Sequence, residues 1–267
     1  MTASSRAKSR SATLPPAAVA ADWTLPQRWE AYRPDDHAVW DRLFDRQTRL
    51  LRGRVAEPFL AGLDALGLGT AGIPRLDALN ERLFRATGWE VVAVPGLIPD
   101  DVFFRHLSHR RFPAGNFIRP MTQLDYLEAP DLFHDIFGHV PLLADRRMAD
   151  CLQALGELGL GACRSGALDR LSRLYWHTIE FGLVDEDGAL KIYGAGLASS
   201  FGEAIHALDS AEPARRRFDI GEAMATSYRS DRYQPLYFIV DSLESLLTEL
   251  ASVDLPGRLT EPLMAAE

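Results

Sequence analysis

The sequence has few of the features that mark several large classes of protein. Only two of its 267 residues are cysteine, Cys151 and Cys163, and neither belongs to a CxxC pair. Two thiols in a chain of this length do not form a disulfide framework, so the cysteine content is typical of a protein kept in a reducing compartment. No apolar run approaches the roughly 18–20 residues that a membrane-spanning helix requires. We therefore expect a cytoplasmic protein with no membrane partner.

Positive charge is also scarce. Lysine and arginine number 29 against 37 aspartate and glutamate residues, which gives a formal net charge of −8. Binding to a phosphate backbone needs a concentrated positive field, so we expect no nucleic-acid partner. With 47% hydrophobic and 25% charged residues, the composition is that of a globular protein and excludes the disordered and collagen-like classes.

No internal repeat, low-complexity linker or abrupt change of composition divides the chain, and its length suits one large domain. The first 21 residues contain few large apolar side chains, and Pro15-Pro16 interrupts their small-residue stretch. A signal peptide needs an uninterrupted apolar segment, so a flexible tail describes this region better. We predict a flexible N-terminal tail at residues 1–21 and a single domain at residues 22–267.

Helical spacing dominates the hydrophobic pattern. Apolar residues recur at helical spacing over residues 36–66, and a second amphipathic helix is predicted at residues 76–86. Residues 89–94 indicate a strand, and Asp187-Gly188 between two short extended runs indicates a β-hairpin. Further helices are predicted near residues 99–109, 130–138, 147–160, 167–181, 200–208, 217–225 and 241–252. The pattern predicts an α+β fold that is mainly α-helical.

Two of the seven histidines lie close together, at His134 and His139. Zinc proteases of the HExxH kind place two histidines four residues apart on one helix face. A spacing of five turns the second side chain by about 140° on an ideal α-helix. We expect Gly138 to bend or end the helix just before His139, so that the two imidazoles can meet. The spacing argues against that protease class but not against a metal, and two unrelated histidines remain the alternative.

A third metal ligand is available about forty residues further on. Glu180 lies in an otherwise apolar predicted helix, where an unpaired buried carboxylate is costly. A bound cation would remove that cost, and two imidazoles with one carboxylate form the ligand set of non-heme Fe(II) oxygenases. The pattern alone leaves open a salt bridge from Glu180 to an arginine. It also leaves His177 as a rival ligand, because His177 lies three residues before Glu180 on the same helix face.

Five segments together resemble the signature stretches of the pterin-dependent aromatic amino acid hydroxylases. In chain order they are VPGLI at residues 94–98, RRFPAGNFIR at 110–119, HDIFGHVPLL at 134–143, YWHTIEFGL at 175–183 and YGAGLASS at 193–200. The resemblance covers residues 22–252 and is strongest to the short bacterial members. It implies a single catalytic domain with the family's α+β, mainly helical fold and small β-hairpins. It also implies a monomer, since the chain has no room for the tetramerisation helix of the animal enzymes.

The same resemblance implies a reaction and a set of site residues. The reaction is the hydroxylation of L-phenylalanine to L-tyrosine, with O2 and a tetrahydropterin such as tetrahydrobiopterin, at a non-heme Fe(II) centre. The matched iron ligands are His134, His139 and Glu180, with Asp135 as an acidic neighbour of iron and pterin. The matched pterin contacts are Gly96, Leu97, Phe103 and Tyr175, the ring of Phe103 stacking on the pterin. The matched substrate contacts are Arg119 for the carboxylate, Pro130 and Trp176 for the aromatic ring, and Ser199, which also supports the first iron histidine.

Some positions depart from the family pattern and bear on substrate preference. Trp176 leaves room for one benzene ring, so we expect phenylalanine to be the best substrate, tyrosine weaker and tryptophan poorest. The departures are Ala129 for a common glutamate, Leu127 for the threonine of animal members, His177 for Phe or Tyr, and Ser230 at a position that bears on the choice between phenylalanine and tyrosine.

Three other functions fit parts of the pattern. One is hydroxylation of tyrosine, or of phenylalanine at the meta position, and another is zinc-dependent hydrolysis. The third is a non-catalytic binding protein on the same fold, although such a protein has no need of two imidazoles and a carboxylate. The remaining histidines match no family position and are expected to be ordinary core or surface residues: His37, His106, His109 and His206.

Overall fold

Helices make up most of the chain that the structure describes. A computed structural model describes residues 19–125, 129–252 and 257, so most of the predicted tail, together with Leu127 of the substrate departures, lies outside the described residues. The α-helices are α1 Pro34–Leu51, α2 Glu57–Leu66, α3 Leu76–Thr87, α4 Asp100–Ser108, α5 Val140–Leu143, α6 Arg146–Ser165, α7 Leu168–Tyr175, α8 Ala195–Ser199, α9 Phe201–Asp209, α10 Ile220–Ala225 and α11 Leu243–Ser252. None of them is long and apolar enough to cross a membrane.

Two small sheets complete the fold and confirm its α+β class. The strands are β1 Glu90–Val94, β2 Arg111–Gly115, β3 Leu183–Glu186, β4 Ala189–Ile192, β5 Ala214–Arg217 and β6 Leu236–Val240. β1 and β2 form a parallel pair, and the larger sheet has the order β4-β3-β6-β5. The predicted hairpin is confirmed as β3 and β4, with positive φ at both Asp187 (56°) and Gly188 (78°), as a type I′ turn requires. The other pairs are parallel, and strands β2, β5 and β6 were not predicted.

The predicted helical region at residues 36–66 is two helices rather than one. Val55 forms a bridge with Ile192, and the N–H of Ala56 donates to the carbonyl of Ile192 at 2.8 Å. These bonds to β4 draw the backbone out of the helix between α1 and α2. Pro58 then occupies the first turn of α2, where its missing N–H costs nothing.

A cluster of buried aromatic rings supports the segment that carries His134. Phe133 and Phe137 stack with their ring centroids 4.8 Å apart. Trp40 and Phe44 from α1 and Phe59 from α2 pack edge-on against them at 5.3–5.6 Å. Each such side chain stabilises the fold by about 1.5–3 kcal/mol through burial. The histidine segment is therefore fixed from behind by the core.

Candidate active site

The first candidate metal segment is a π-helical turn. Residues His134–His139 follow a pattern of hydrogen bonds from residue i to i+5, which widens the turn. Residues five apart then approach the same face, and the Nε2 atoms of the two imidazoles lie 3.4 Å apart. Of the two expectations for Gly138, the ending of the helix is wrong, because the turn continues through Gly138 into α5. Glycine is needed there since a Cβ atom would lie 2.8 Å from the carbonyl oxygen of Ala195.

Glu180 comes from a second π-helical turn, Trp176–Glu180, which continues α7. Its Oε1 lies 3.1 Å from Nε2 of His139, and its Oε2 lies 3.7 Å from Nε2 of His134. The backbone N–H of Gly196 helps to lower the pKa of this carboxylate, after its attraction to His139 and His134. Gly194 allows this close approach, because a Cβ atom there would lie 2.4 Å from the carbonyl oxygen of Glu180. The structure thus brings the three predicted ligands together.

These three side chains fit one metal ion. Ligand atoms about 2.1 Å from an ion and about 90–110° apart lie roughly 3.0–3.4 Å from one another. The observed separations of 3.1, 3.4 and 3.7 Å are close to that range. Asp135 offers another carboxylate within 4.8 Å of the imidazole ligand atoms, but its Oδ2 accepts a hydrogen bond from the N–H of Gly115 at 2.7 Å. Because the Asp135 group spans up to 4.8 Å, against 3.1–3.7 Å among the other three ligand atoms, we place Asp135 beside the ion rather than among its ligands.

The electrostatics of the site also suit a cation. Burial lowers the pKa of His134 to about 4, which keeps its imidazole neutral as a metal ligand must be. Burial opposes charge on both His139 and Glu180, but their mutual attraction outweighs it, so the pKa of His139 is raised and the pKa of Glu180 is lowered. Burial raises the pKa of Asp135 to about 7. A cation would take the place of the proton that His139 shares with Glu180.

Ser199 orients His134. Its hydroxyl oxygen lies 2.8 Å from Nδ1 of His134, and the hydroxyl donates to the carbonyl of Ala195 at 2.8 Å. Because Nε2 faces the other two ligands, Nδ1 carries the ring proton and donates it to the hydroxyl oxygen. Both hydrogen bonds engage Ser199 in holding the imidazole, so this geometry favours its support of His134 over its prediction as a substrate contact.

The predicted pterin contacts fall into two groups. Phe103 on α4 meets the ring of Tyr175 edge-on, with centroids 6.0 Å apart. The hydroxyl of Tyr175 is buried and has no hydrogen-bond partner in the described part of the chain, so it is available to a ligand. Gly96, with φ of 147°, and Leu97, with 57% of its surface exposed, lie on the turn after β1. The structure places this turn at the surface and the aromatic pair deeper.

Phe117 connects that surface turn to the metal segment. A Cβ atom on Gly96 would lie 3.7 Å from the ring of Phe117. A Cβ atom on Gly115 would lie 3.4 Å both from the same ring and from Oδ2 of Asp135. Phe117 is not among the residues predicted from the sequence, although it lies in the RRFPAGNFIR segment, two residues before Arg119.

Arg119 is buried and already paired within the protein. Its Nε and Nη2 donate to the two carboxylate oxygens of Asp131 at 2.8 Å each, a two-bond fork. Asp131 is fully buried, and the charge of Arg119 holds its pKa low in spite of that burial. The remaining donor, Nη1, forms only a long hydrogen bond of 3.4 Å to the carbonyl of Leu124. A substrate carboxylate can therefore use only the Nη1 and Nη2 edge. The ion pair of Arg119 with Asp131 is not predicted by the sequence pattern.

Trp176 packs against two other aromatic rings. The ring of Phe181 stacks on it with centroids 4.8 Å apart, and Tyr228 stacks on it at 4.2 Å with the ring planes 16° apart. These contacts restrain the indole of this predicted ring-pocket residue. The carbonyl oxygen of Pro130 lies 3.5 Å from the Cβ position of Gly115, which places it beside the segment of Asp135. Tyr228 was not predicted from the sequence.

The other singled-out residues lie away from the three ligands. His177 is buried, lies 3.2 Å through Nε2 from the carbonyl of Thr226, and packs edge-on against Phe238 at 5.3 Å. Its imidazole therefore faces the larger sheet. Ser230 is exposed between Arg229 and Asp231, which pair with each other. The remaining histidines have local partners: His37 with the N–H of Ile73, His106 with the carbonyl of Asp22, His109 with the carbonyl of Arg105, and His206 with the ring of Tyr233.

Comparison with known proteins agrees with this geometry. Residues 17–254 match the family of biopterin-dependent aromatic amino acid hydroxylases. The chain belongs to that family.

Its similarity is to phenylalanine hydroxylases in particular. The phenylalanine-4-hydroxylase of Caulobacter vibrioides is 53% identical over 232 residues, which cover 87% of this chain and 79% of that protein. The iron- and phenylalanine-bound phenylalanine hydroxylase of Chromobacterium violaceum superposes with a TM-score of 0.84 at 47% identity, covering 89% of this chain and 86% of that one. The same enzyme with iron(III) and 7,8-dihydrobiopterin gives a TM-score of 0.85 at 48% identity, covering 91% and 86%.

Proposed function

We propose that this chain is a phenylalanine 4-monooxygenase, which hydroxylates L-phenylalanine to L-tyrosine with O2 and a tetrahydropterin at a non-heme Fe(II) centre. The observation that carries the proposal is the convergence of His134, His139 and Glu180, with ligand atoms 3.1–3.7 Å apart. The similarity to phenylalanine-4-hydroxylases supports phenylalanine over tyrosine as the substrate. Relatives that hold iron, phenylalanine and dihydrobiopterin support the cofactors.

His134, His139 and Glu180 would hold the iron, and a ligand set of this kind would leave room on the metal for the reactants. Bound Fe(II) and tetrahydropterin supply the electrons that reduce O2 and the oxidising power that acts on the ring. Ser199 fixes the tautomer and orientation of His134 through its hydroxyl. Asp135, anchored to the N–H of Gly115, accepts or returns a proton beside the metal.

The protein binds and orients the two organic reactants through different residues. Phe103 offers its ring to the flat pterin, and the buried hydroxyl of Tyr175 donates to it. Gly96 and Leu97 on the exposed turn after β1 cover the pterin from the surface. The free edge of Arg119 binds the carboxylate of phenylalanine, and Pro130 and Trp176 border its ring. Such positioning is the main contribution of a protein to cofactor chemistry.

We also propose that residues 22–267 form one catalytic domain after a tail at residues 1–21, and that the enzyme acts as a cytoplasmic monomer. Cys151 and Cys163 are both free, and burial raises the pKa of the Cys151 thiol to about 12, which makes it inert. Free, unreactive thiols suit a reducing compartment. Light scattering on the purified protein tests the monomer, with a mass near 29.6 kDa expected.

An aerobic assay with Fe(II), a tetrahydropterin and each aromatic amino acid tests the function. We expect tyrosine as the product from phenylalanine, with the highest kcat/KM for phenylalanine and the lowest for tryptophan. Product chromatography separates para from meta hydroxylation, and a higher kcat/KM for tyrosine would replace phenylalanine as the substrate. Pterin oxidation without any hydroxylated amino acid would favour the non-catalytic alternative. Zinc instead of iron in protein purified without added metal would favour a hydrolase.

A further inference from the structure

Tyr228 lies over the residue that borders the proposed substrate ring. Its ring stacks on Trp176 with centroids 4.2 Å apart, and Phe181 stacks on the same indole at 4.8 Å. The charges of Asp100 and Glu180 contribute, after burial, to raising the pKa of Tyr228. Tyr228 therefore lies within electrostatic reach both of the metal ligand and of the start of α4, the helix that carries Phe103.

The backbone next to Tyr228 is held by one buried side chain. The carboxamide of Gln234 accepts a hydrogen bond from the N–H of Arg229 at 3.2 Å and donates another to the carbonyl of the same residue. Gln234 is 1% exposed. Its side chain bonds both the N–H and the carbonyl of Arg229, as the backbone of a neighbouring strand does, and so holds the loop of residues 226–235. Because Arg229 directly follows Tyr228, this clamp sets where the tyrosine ring lies.

Gln234 is itself anchored to a buried carboxylate that the proposed reaction does not use. Oε1 of Glu203 on α9 accepts from the N–H of Gln234 and from the hydroxyl of Tyr237, each at 3.0 Å. At the other end of the loop, Nε2 of His177 lies 3.2 Å from the carbonyl of Thr226. The loop that carries Tyr228 is thus fixed at both ends by buried polar groups.

We propose that Tyr228 is a positioning residue for the amino acid substrate, acting through Trp176, and that Gln234, supported by Glu203, holds the tyrosine ring on the indole. The inference rests on the proposed function, in which Trp176 borders the substrate ring. Two rings packed against the indole restrain it from tilting, so Trp176 presents one fixed wall to the ligand. A wall that is ordered before binding avoids the entropy cost of ordering it during binding.

The test compares Gln234→Met, Tyr228→Ala and their double variant with the wild-type iron-loaded enzyme. Methionine keeps the length of the glutamine but forms neither bond to Arg229. We expect the KM for phenylalanine to rise roughly tenfold in each single variant, while the KM for the tetrahydropterin stays within about twofold. Tyr228→Phe keeps the stacked ring and is expected to keep the wild-type KM. Tyr233→Ala, a change to an exposed residue of the same loop, is the matched control and is expected to leave both constants unchanged.

The double variant separates positioning from a general structural role. If Gln234 acts through Tyr228, the double variant loses no more affinity for phenylalanine than either single variant does. If the two residues act independently, the losses of binding free energy in the single variants add up in the double variant. Titration calorimetry with phenylalanine gives the same comparison without turnover. Additive losses, or equal rises in both KM values, would overturn the inference. If Gln234→Met does not fold, a wild-type phenylalanine KM in Tyr228→Ala overturns it as well.

The outcome for the wild-type enzyme distinguishes this inference from the proposed function. Wild-type enzyme that hydroxylates phenylalanine, together with variants that do not differ from it, refutes the role of Tyr228 alone. Wild-type enzyme that neither binds nor hydroxylates phenylalanine refutes the proposed function. In that case the same variants are measured by calorimetry with tyrosine and tryptophan. If one of these amino acids binds the wild-type enzyme and binds the variants with the same affinity, the role of Tyr228 is refuted for that amino acid as well.

Discussion

Gly159 of α6 lies directly against the ring of Phe104 in α4, so that a Cβ atom on Gly159 would come within 2.1 Å of the ring carbon Cγ. Gly156, one turn earlier, faces the backbone N–H of Ser108 at a corresponding distance of 2.4 Å. These two glycines let α4 and α6 pack closely. Phe103, the proposed pterin contact, is the neighbour of Phe104, so the packing of the two helices also sets its position.

Gly159→Ala is expected to weaken both the fold and the binding of the pterin. The added methyl group must displace Phe104 or α4, and overpacking of this kind costs about 1–3 kcal/mol in the free energy of unfolding. The pterin KM should rise with it because Phe103 moves. Gly161→Ala in the same helix is the control, since a Cβ atom there meets nothing within 4 Å and alanine favours a helix. Equal urea midpoints for the two variants would contradict the prediction.

Replacing His139 by alanine is expected to abolish stoichiometric iron, because it removes one of the three proposed ligands. His177→Phe is expected to retain it, since the imidazole of His177 faces Thr226 rather than Glu180. Metal analysis of the two purified variants after loading with Fe(II) measures the difference. Loss of iron in His177→Phe together with retention of iron in His139→Ala would make His177, and not His139, the iron ligand.

Phe103→Ala should raise the apparent KM for the tetrahydropterin before it affects that for phenylalanine. A stacked aromatic contact is worth about 0.5–1.5 kcal/mol beyond its buried area, which corresponds to roughly a 2- to 12-fold change. Steady-state kinetics at varied pterin and at varied phenylalanine give the two constants. Phe84→Ala, which removes an exposed ring on α3, serves as the control. An increase confined to the phenylalanine KM would assign Phe103 to the wrong ligand.

Arg119→Lys is expected to raise the KM for phenylalanine by at least about tenfold. A lysine ammonium is a point charge, so it cannot keep both bonds to Asp131 and also present a planar edge to a carboxylate. The buried carboxylate of Asp131 also loses one of its two side-chain hydrogen bonds from Arg119, which lowers the free energy of unfolding by on the order of 1–3 kcal/mol. Thermal unfolding and kinetics are measured together, with the exposed Arg105→Lys as control. An unchanged phenylalanine KM would remove Arg119 from the substrate site.

The buried carboxyl of Glu203 is expected to make a contribution to stability that is lost as the pH rises from about 4 to about 7. Burial raises the pKa of Glu203 to about 7 in the folded protein, whereas the pKa of a glutamate in the unfolded chain is about 4.3. Between these values the folded state binds more protons than the unfolded state, so the free energy of unfolding decreases with increasing pH. Glu203→Gln keeps an acceptor for Gln234 and Tyr237 but does not titrate.

Urea denaturation at pH 5 and pH 8 should therefore show a smaller difference in Glu203→Gln than in the wild type, by an amount on the order of 1–3 kcal/mol. The exposed Glu212→Gln is the control and is expected to keep the wild-type difference. An identical pH dependence in all three proteins would show that the Glu203 carboxyl has no altered pKa.

The sequence by itself determined the helical character of the chain, the hairpin at Asp187-Gly188 and the identity of the candidate ligands. Those features are local: apolar spacing, two residues able to adopt positive φ, and the chemistry of imidazole and carboxylate groups. The linked motifs also pointed to the family. None of this required knowledge of which segments meet in space.

Tertiary structure alone decided how those ligands meet and what surrounds them. Two π-helical turns bring His134, His139 and Glu180 together, where the sequence had suggested a helix bent or ended at Gly138. A single inserted residue per turn leaves no distinct hydrophobic pattern. The pairing of Arg119 with Asp131 and the stacking of Tyr228 on Trp176 join residues on different segments of the chain. Such contacts depend on the packing of whole elements, so no local spacing in the sequence encodes them.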